Sequence, residues 1–305
     1  MLVIHFKPYN NLKMSFTSTE NKHLLGVYEK AINNKFAWKD KIAIAKQASF
    51  DFIELSIDES DARLQRLDWS DTEINQLHNE LQAQTFCLNS MCLSAHRRFP
   101  LGSKNKTTVQ QGLTIFEKAC VLARKLGIRI IQLAAYDVYY EPHDTETERN
   151  FITNMRKVAE LAQKYAVTIA FEVMDTPFAG TIVRCLNLIK RIGKANILLY
   201  PDIGNLSQFS TAVFDEIALG QDKIVGFHFK DTLPKQFKEV PFGTGTAQFE
   251  AALKAIHQYV PTVPILIEMW SKNDPAESTV QNVAQLKQAK QFYEQQWDLA
   301  LKRVK

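Results

Sequence analysis

Cysteine is scarce in this chain. Four cysteines in 305 residues, Cys87, Cys92, Cys120 and Cys185, form no CxxC pair and no disulfide-dense spacing, which excludes a stapled secreted scaffold and reads as reduced thiols in a cytoplasmic protein. Long apolar runs are missing too: none approaches the roughly 20 residues that span a bilayer. Charge of one sign is in short supply, since 37 basic against 33 acidic residues leave a formal net charge of +4. No Lys/Arg run interleaved with aromatics stands out, so neither nucleic acid nor a membrane surface is an expected partner. The first 22 residues show neither helical nor strand period and lack the apolar core of a signal peptide. Residues 1–23 therefore read as an irregular extension, with Met14 as the expected true start, and residues 24–305 as one catalytic domain.

From Leu24 onward, short apolar runs of β type alternate with longer amphipathic segments, the pattern of βα units around a parallel sheet. Eight strands are expected, at 24–28, 52–56, 85–90, 129–133, 168–172, 197–202, 224–228 and 264–268. Helical spacing occupies 38–48, 72–83, 109–126, 146–165, 182–192 and 249–259, and 275–305 reads as a last helix with an added amphipathic stretch. Ser70-Asp-Thr-Glu73 is a capping-box start and Gly127 a helix stop. Eight strands predict an α/β fold closed as a single (β/α)8 TIM barrel, although an open doubly wound sheet shows the same alternation.

The strand ends favour closure. Four of the runs finish on Glu172, Asp202, His228 and Glu268, and in a closed barrel the C-terminal ends of the strands share one rim. Three carboxylates and an imidazole suit one divalent metal ion: Zn, Mn, Co or Mg. The plainer alternative is that each residue caps its strand and pairs with a nearby lysine. His78, His143 and His257 fall on helices or loops and read as ordinary side chains. Two further patches invite chemistry. Asn89-Ser-Met-Cys-Leu-Ser-Ala-His96-Arg-Arg98 leaves the third strand toward the same rim, where His96 and Arg97 suit an anionic sugar. Val240-Pro-Phe-Gly243-Thr-Gly245-Thr246 offers backbone N–H groups to a phosphate, with simple turn chemistry as the alternative.

Taken together, several segments resemble the xylose-isomerase-like barrels and, within them, the L-ribulose-5-phosphate 3-epimerases, also called L-xylulose-5-phosphate 3-epimerases. They are Gly26-Val-Tyr-Glu-Lys-Ala31, Phe50-Asp-Phe-Ile-Glu54, Arg66-Leu-Asp-Trp-Ser70, Ser90-Met-Cys-Leu-Ser-Ala-His-Arg-Arg-Phe-Pro-Leu-Gly102, Tyr200-Pro-Asp-Ile-Gly-Asn-Leu-Ser207 and Ile267-Glu-Met-Trp-Ser271. The resemblance spans nearly everything after residue 23. It implies a phosphorylated ketopentose substrate, one divalent metal on Glu172, Asp202, His228 and Glu268, a homodimer, and a place in catabolism of ascorbate or related sugars. Epimerisation at C3 then runs through an enediolate by two-base proton transfer between Glu172 and Glu268, with Lys230 or Asp231 supporting the metal ligands and His96, Arg97 and Lys230 contacting substrate and phosphate. Two positions depart from the related epimerases of unphosphorylated ketoses: Asn205 stands where they carry a histidine, and Pro234 where they carry an arginine.

Three rivals share the barrel. An aldose–ketose isomerase of a phosphorylated sugar would move hydrogen between C1 and C2. A DNA repair endonuclease would need several metals and a histidine-rich groove. A non-catalytic sugar-binding barrel predicts an eroded ligand set, whereas all four ligands are present.

Overall fold

The structure is a computed structural model that describes residues 23–302. The expected extension and the Met14 start lie outside the described residues, apart from His23, which is buried and hydrogen-bonded to the Tyr293 hydroxyl.

Eight strands form one parallel sheet: β1 (Leu25–Tyr28), β2 (Phe52–Ile57), β3 (Cys87–Leu93), β4 (Ile130–Ala134), β5 (Thr168–Glu172), β6 (Ile197–Tyr200), β7 (Phe227–Phe229) and, after an antiparallel hairpin of β8 (Asp231–Leu233) and β9 (Gln236–Val240), β10 (Ile265–Ile267). Their order is β6-β5-β4-β3-β2-β1-β10-β7. Single bridges Leu199–Ile224 and Asp202–His228 join β6 to the β7 segment and complete the ring. The Val225 N–H donates to the Leu199 carbonyl at 2.9 Å and the His228 N–H to the Pro201 carbonyl at 3.0 Å. This is the expected TIM barrel, with the hairpin standing outside the ring.

Helices α1 (Trp38–Gln47), α2 (Asp61–Leu64), α3 (Asp71–Ala83), α4 (Lys106–Lys125), α5 (Thr145–Lys164), α6 (Ile182–Ile192), α7 (Ile203–Phe209), α8 (Val213–Gly220), α9 (Phe249–Tyr259) and α10 (Thr279–Lys302) connect and surround the strands. Ser70 and Glu73 form the capping box that starts α3. Among the described residues no helix is long and apolar enough to cross a membrane. All four thiols are free.

Strand side chains alternate between two cores, as a period of two demands. Val27, Ile53, Leu55, Ile131, Ile169, Phe171, Ile265 and Ile267 pack outward under the helices. Tyr28, Phe52, Cys92 and Leu266 pack together in a second cluster inside the ring. The interior is so crowded that a Cβ on Gly226 would lie 2.2 Å from the Tyr200 ring. Any larger residue there would displace the wall on which His228 leans.

Departures from expectation have local causes. The third strand begins at Cys87, not Thr85, because Thr85 at φ 50° makes the turn out of α3. Pairing with β2 and β4 then carries it through to Leu93. The short α2, α7 and α8 and the hairpin carried too little periodicity to be anticipated.

Candidate metal and active site

The alternation that builds the interior also gathers the polar residues. Glu172 closes β5, Asp202 follows β6, His228 lies in β7 and Glu268 follows β10, so all four project into the C-terminal mouth of the ring. One ligand atom from each lies within 4.8 Å of the others. The Nδ1 of His228 is 3.4 Å from Glu172 Oε1, 3.5 Å from Glu268 Oε2 and 3.9 Å from Asp202 Oδ2.

In three of the four, one atom is tied back and another left facing the centre. Asp202 is the N-cap of α7, and its Oδ1 accepts from the Asn205 N–H at 2.6 Å. The Gln132 amide donates to Glu172 Oε2. The Nε2 of His228 meets Glu54 Oε1 at 2.8 Å, while Ser90 Oγ donates to Glu54 Oε2 at 2.5 Å. Asp202 Oδ2 and Glu268 Oε2, both buried, have no hydrogen-bond partner. Lys230 Nζ stands 3.0 Å from the first and 3.3 Å from the second, at ion-pair distance but outside hydrogen-bonding alignment. One ammonium shared between two buried carboxylates leaves their charge only partly offset, which is costly. Converging on an imidazole nitrogen, they fit a divalent cation with mixed N and O ligands.

The electrostatics carry the same signature. Burial pushes the Asp202 carboxyl well up, with Glu268 and Glu172 adding to it and Lys230 and His228 opposing. Against the upward push of burial, Lys230 and His228 hold Glu268 at about 2. His228 is raised well above the usual imidazole range: burial opposes this, and Glu54 and Glu268 overcome it. Carboxylates this crowded relieve their repulsion with a proton or with a cation.

Above the cluster opens a pocket whose wall includes Tyr28, Lys30, Arg97, Asp175, Lys238 and Trp270. Arg97 crosses its edge with the guanidinium 5.6 Å from the Tyr136 ring centre and 5.0 Å from that of Tyr139. The Tyr136 hydroxyl donates to Asp175 Oδ1 at 2.6 Å, and Arg97 Nε is left without a partner. From the hairpin, Phe237 stacks on Phe209 and Lys238 faces the pocket.

His96 does not reach this pocket, contrary to expectation. The turn Ala95–Arg97 is a 3-10 helix, so neighbouring side chains leave it about 120° apart. Arg97 faces the pocket, and His96 turns beneath α4, where its Nε2 bonds the Gly112 carbonyl at 3.0 Å. Burial pushes its pKa down to about 4. Lys230 lines the pocket, but its ammonium is engaged with Asp202 and Glu268 and not turned to an outer anion. Asp231 supports no metal ligand. Its carboxylate accepts from the N–H groups of Thr232, Gly243 and Gly245 at 2.9 Å and of Ala247 at 3.3 Å. The glycine loop's donors thus close on Asp231, and a Cβ on Gly245 would lie 2.1 Å from its Oδ1. The sequence reading did not assign Glu54 or Gln132 to the site, and Asn205, noted there only as a departure from related epimerases, holds Asp202 Oδ1 through its N–H. The available signal was a polar residue at the inward position of an apolar strand, as in Phe52-Ile-Glu54-Leu and Ile130-Ile-Gln132-Leu.

Residues 42–292 match the family model described as the xylose isomerase-like TIM barrel. The chain is 44% identical over 258 residues to an L-ribulose-5-phosphate 3-epimerase, UlaE, of Shigella boydii, covering 84% of this chain and 91% of that one. A protein of the same name from Escherichia coli is 44% identical over 254 residues, covering 83% and 89%. A solved structure of an L-ribulose 3-epimerase superposes with a TM-score of 0.73 at 19% identity, covering 92% of this chain and 97% of that one. At that identity the likeness speaks for the fold.

Proposed function

Because this chain belongs to the xylose isomerase-like TIM barrels and, within them, to the L-ribulose-5-phosphate 3-epimerases, we propose that it is a metal-dependent epimerase interconverting L-ribulose 5-phosphate and L-xylulose 5-phosphate at C3. The observation that carries the reading is the convergence of Glu172, Asp202, His228 and Glu268 beneath an open pocket. A Zn, Mn, Co or Mg ion held by these four residues supplies Lewis-acid polarisation of the substrate carbonyl, which acidifies the neighbouring C3–H bond.

The protein's own groups then move the proton. Glu172 and Glu268 rise from β5 and β10, with β6 and β7 between them in the ring, and flank a sugar bound over His228. One carboxylate takes the C3 proton as that bond breaks, and the other, in its acid form, returns a proton to the opposite face. Gln132 holds Glu172 Oε2 and leaves Oε1 turned inward. Lys230 offsets the negative charge of Asp202 and Glu268. Arg97 is assigned to the substrate's phosphate, because a guanidinium presents parallel donors to a phosphoryl group and Arg97 lines the pocket, with its Nη2 donating to the Tyr136 hydroxyl at 3.4 Å.

The test is to incubate the protein with L-ribulose 5-phosphate and resolve the epimers by chromatography, before and after metal stripping. Conversion to L-xylulose 5-phosphate, lost on chelation and restored by added divalent metal, is expected. Full activity after exhaustive stripping would refute the metal role, and no conversion by the loaded protein would refute the substrate.

A further inference from the structure

We infer that Glu54, braced by Ser90, is a positioning residue that fixes the imidazole of His228 with its Nδ1 turned toward the metal ligands. The inference rests on the metal site proposed above and extends it to a residue outside the ligand set. Glu54 lies on β2, separated in the ring from β7 by β1 and β10, so its side chain reaches across the interior to His228. Glu54 and His228 are both 0% exposed.

The geometry leaves His228 little choice. Nε2 is 2.8 Å from Glu54 Oε1, and Ser90 Oγ, whose residue is the register partner of Glu54 across β2 and β3, clamps the second oxygen at 2.5 Å. The Tyr200 ring meets the imidazole edge-on at 4.9 Å between centroids, which restricts rotation about the ring's own axis. With the Nε2 proton held by Glu54, the nitrogen left to give up its proton to a bound cation is Nδ1, which faces Glu172, Asp202 and Glu268. A carboxylate behind the ring also makes the imidazole a stronger donor to a cation. Without Glu54 the proton is free to sit on Nδ1, and the ligand set loses its one nitrogen. A fully buried carboxyl bonded only to a serine and this histidine has a reason to stand in the barrel interior if it serves that nitrogen.

The test measures metal binding and not turnover. Metal-stripped wild type and the variants Glu54→Ala, Glu54→Gln and Ser90→Ala are titrated with Zn²⁺ and Co²⁺ against a chromophoric chelator, and visible spectra of the Co²⁺ forms are recorded. Glu54→Ala is expected to weaken binding roughly 10–100-fold and to alter the Co²⁺ spectrum. Glu54→Gln, which keeps an acceptor oxygen but not the charge, and Ser90→Ala, which loosens the clamp, fall between it and wild type. A merely structural role would lower the melting temperature and leave affinity and spectrum unchanged. Glu54→Ala binding within twofold of wild type, with the same spectrum, overturns the inference. If that variant does not fold, Glu54→Gln decides by the same criterion. Wild type that takes up no metal would overturn the underlying site, an outcome separate from equal binding by wild type and variant.

Discussion

Individual residues divide here by what their neighbours leave free. Glu172 and Glu268 each present an oxygen within 3.5 Å of His228 Nδ1, close enough to share one sugar. Glu172→Gln and Glu268→Gln are each expected to lower kcat by about 10²–10⁴-fold while far-UV circular dichroism stays unchanged; a rate within threefold of wild type in either would sink the two-base scheme. Arg97 and His96 are adjacent, yet their variants should behave oppositely. Arg97→Ala should raise KM for the phosphorylated ketose at least tenfold, as loss of a charge-assisted contact of about 1.5–3 kcal/mol implies. His96→Leu should leave KM alone and lower stability, because the lost contact is to the Gly112 carbonyl inside the protein. Steady-state kinetics on the pair checks both. The four candidate ligand residues were legible in the sequence because an ionisable group ending an apolar strand is conspicuous. Glu54 and Gln132 sit within their strands, where nothing short of the strand's exact facing reveals them, and the 3-10 turn that separates His96 from Arg97 left no periodic trace.

At the scale of elements, strands and long helices were readable because each carries a period matched to its partner layer: apolar runs between two cores, amphipathic stripes over one. The register of β3 was not, since Thr85 takes a positive φ that its sequence does not advertise. Neither was the β8–β9 hairpin, whose base and following loop are gathered on a single carboxylate. Asp231 accepts four backbone N–H groups at the hairpin's base, so Asp231→Ala strands several donors, each worth about 0.5–1.5 kcal/mol. Faster amide hydrogen exchange across residues 231–247 is the expected result. Exchange no faster than wild type would mean that Phe237 stacked on Phe209 holds the hairpin without the latch.

The whole molecule joins stability to the site at the barrel's closing seam. Asp202 and His228 are bridge partners between β6 and β7, and a cation bound to both staples the seam. At a free metal concentration about 100 times Kd the native state gains about 2.7 kcal/mol, which for a domain of this size raises the melting temperature by roughly 4 °C. Chelation should return it. Acid acts on other residues. Burial holds His23 and His96 at about 4 in the folded chain, below the ordinary imidazole value of about 6.5 that the unfolded chain approaches. The unfolded state therefore binds more protons between those values. Their contribution is complete above pH 6.5, declines as pH falls, and is lost by about pH 4, up to about 3 kcal/mol for each. Melting temperatures of wild type and His96→Leu across pH 4–7 should converge as acid is added, because only wild type loses the His96 contribution, and a difference that does not change with pH would contradict the burial of that ring.

The most direct measurement of the central claim follows the substrate's own hydrogens. L-Xylulose 5-phosphate is incubated with the metal-loaded protein in D₂O, and C3 and C1 are watched by proton NMR. Epimerisation between Glu172 and Glu268 predicts L-ribulose 5-phosphate carrying deuterium at C3 with the C1 hydrogens retained. Exchange at C1 with C3 unchanged would contradict the account and assign the same residues to an aldose–ketose isomerase.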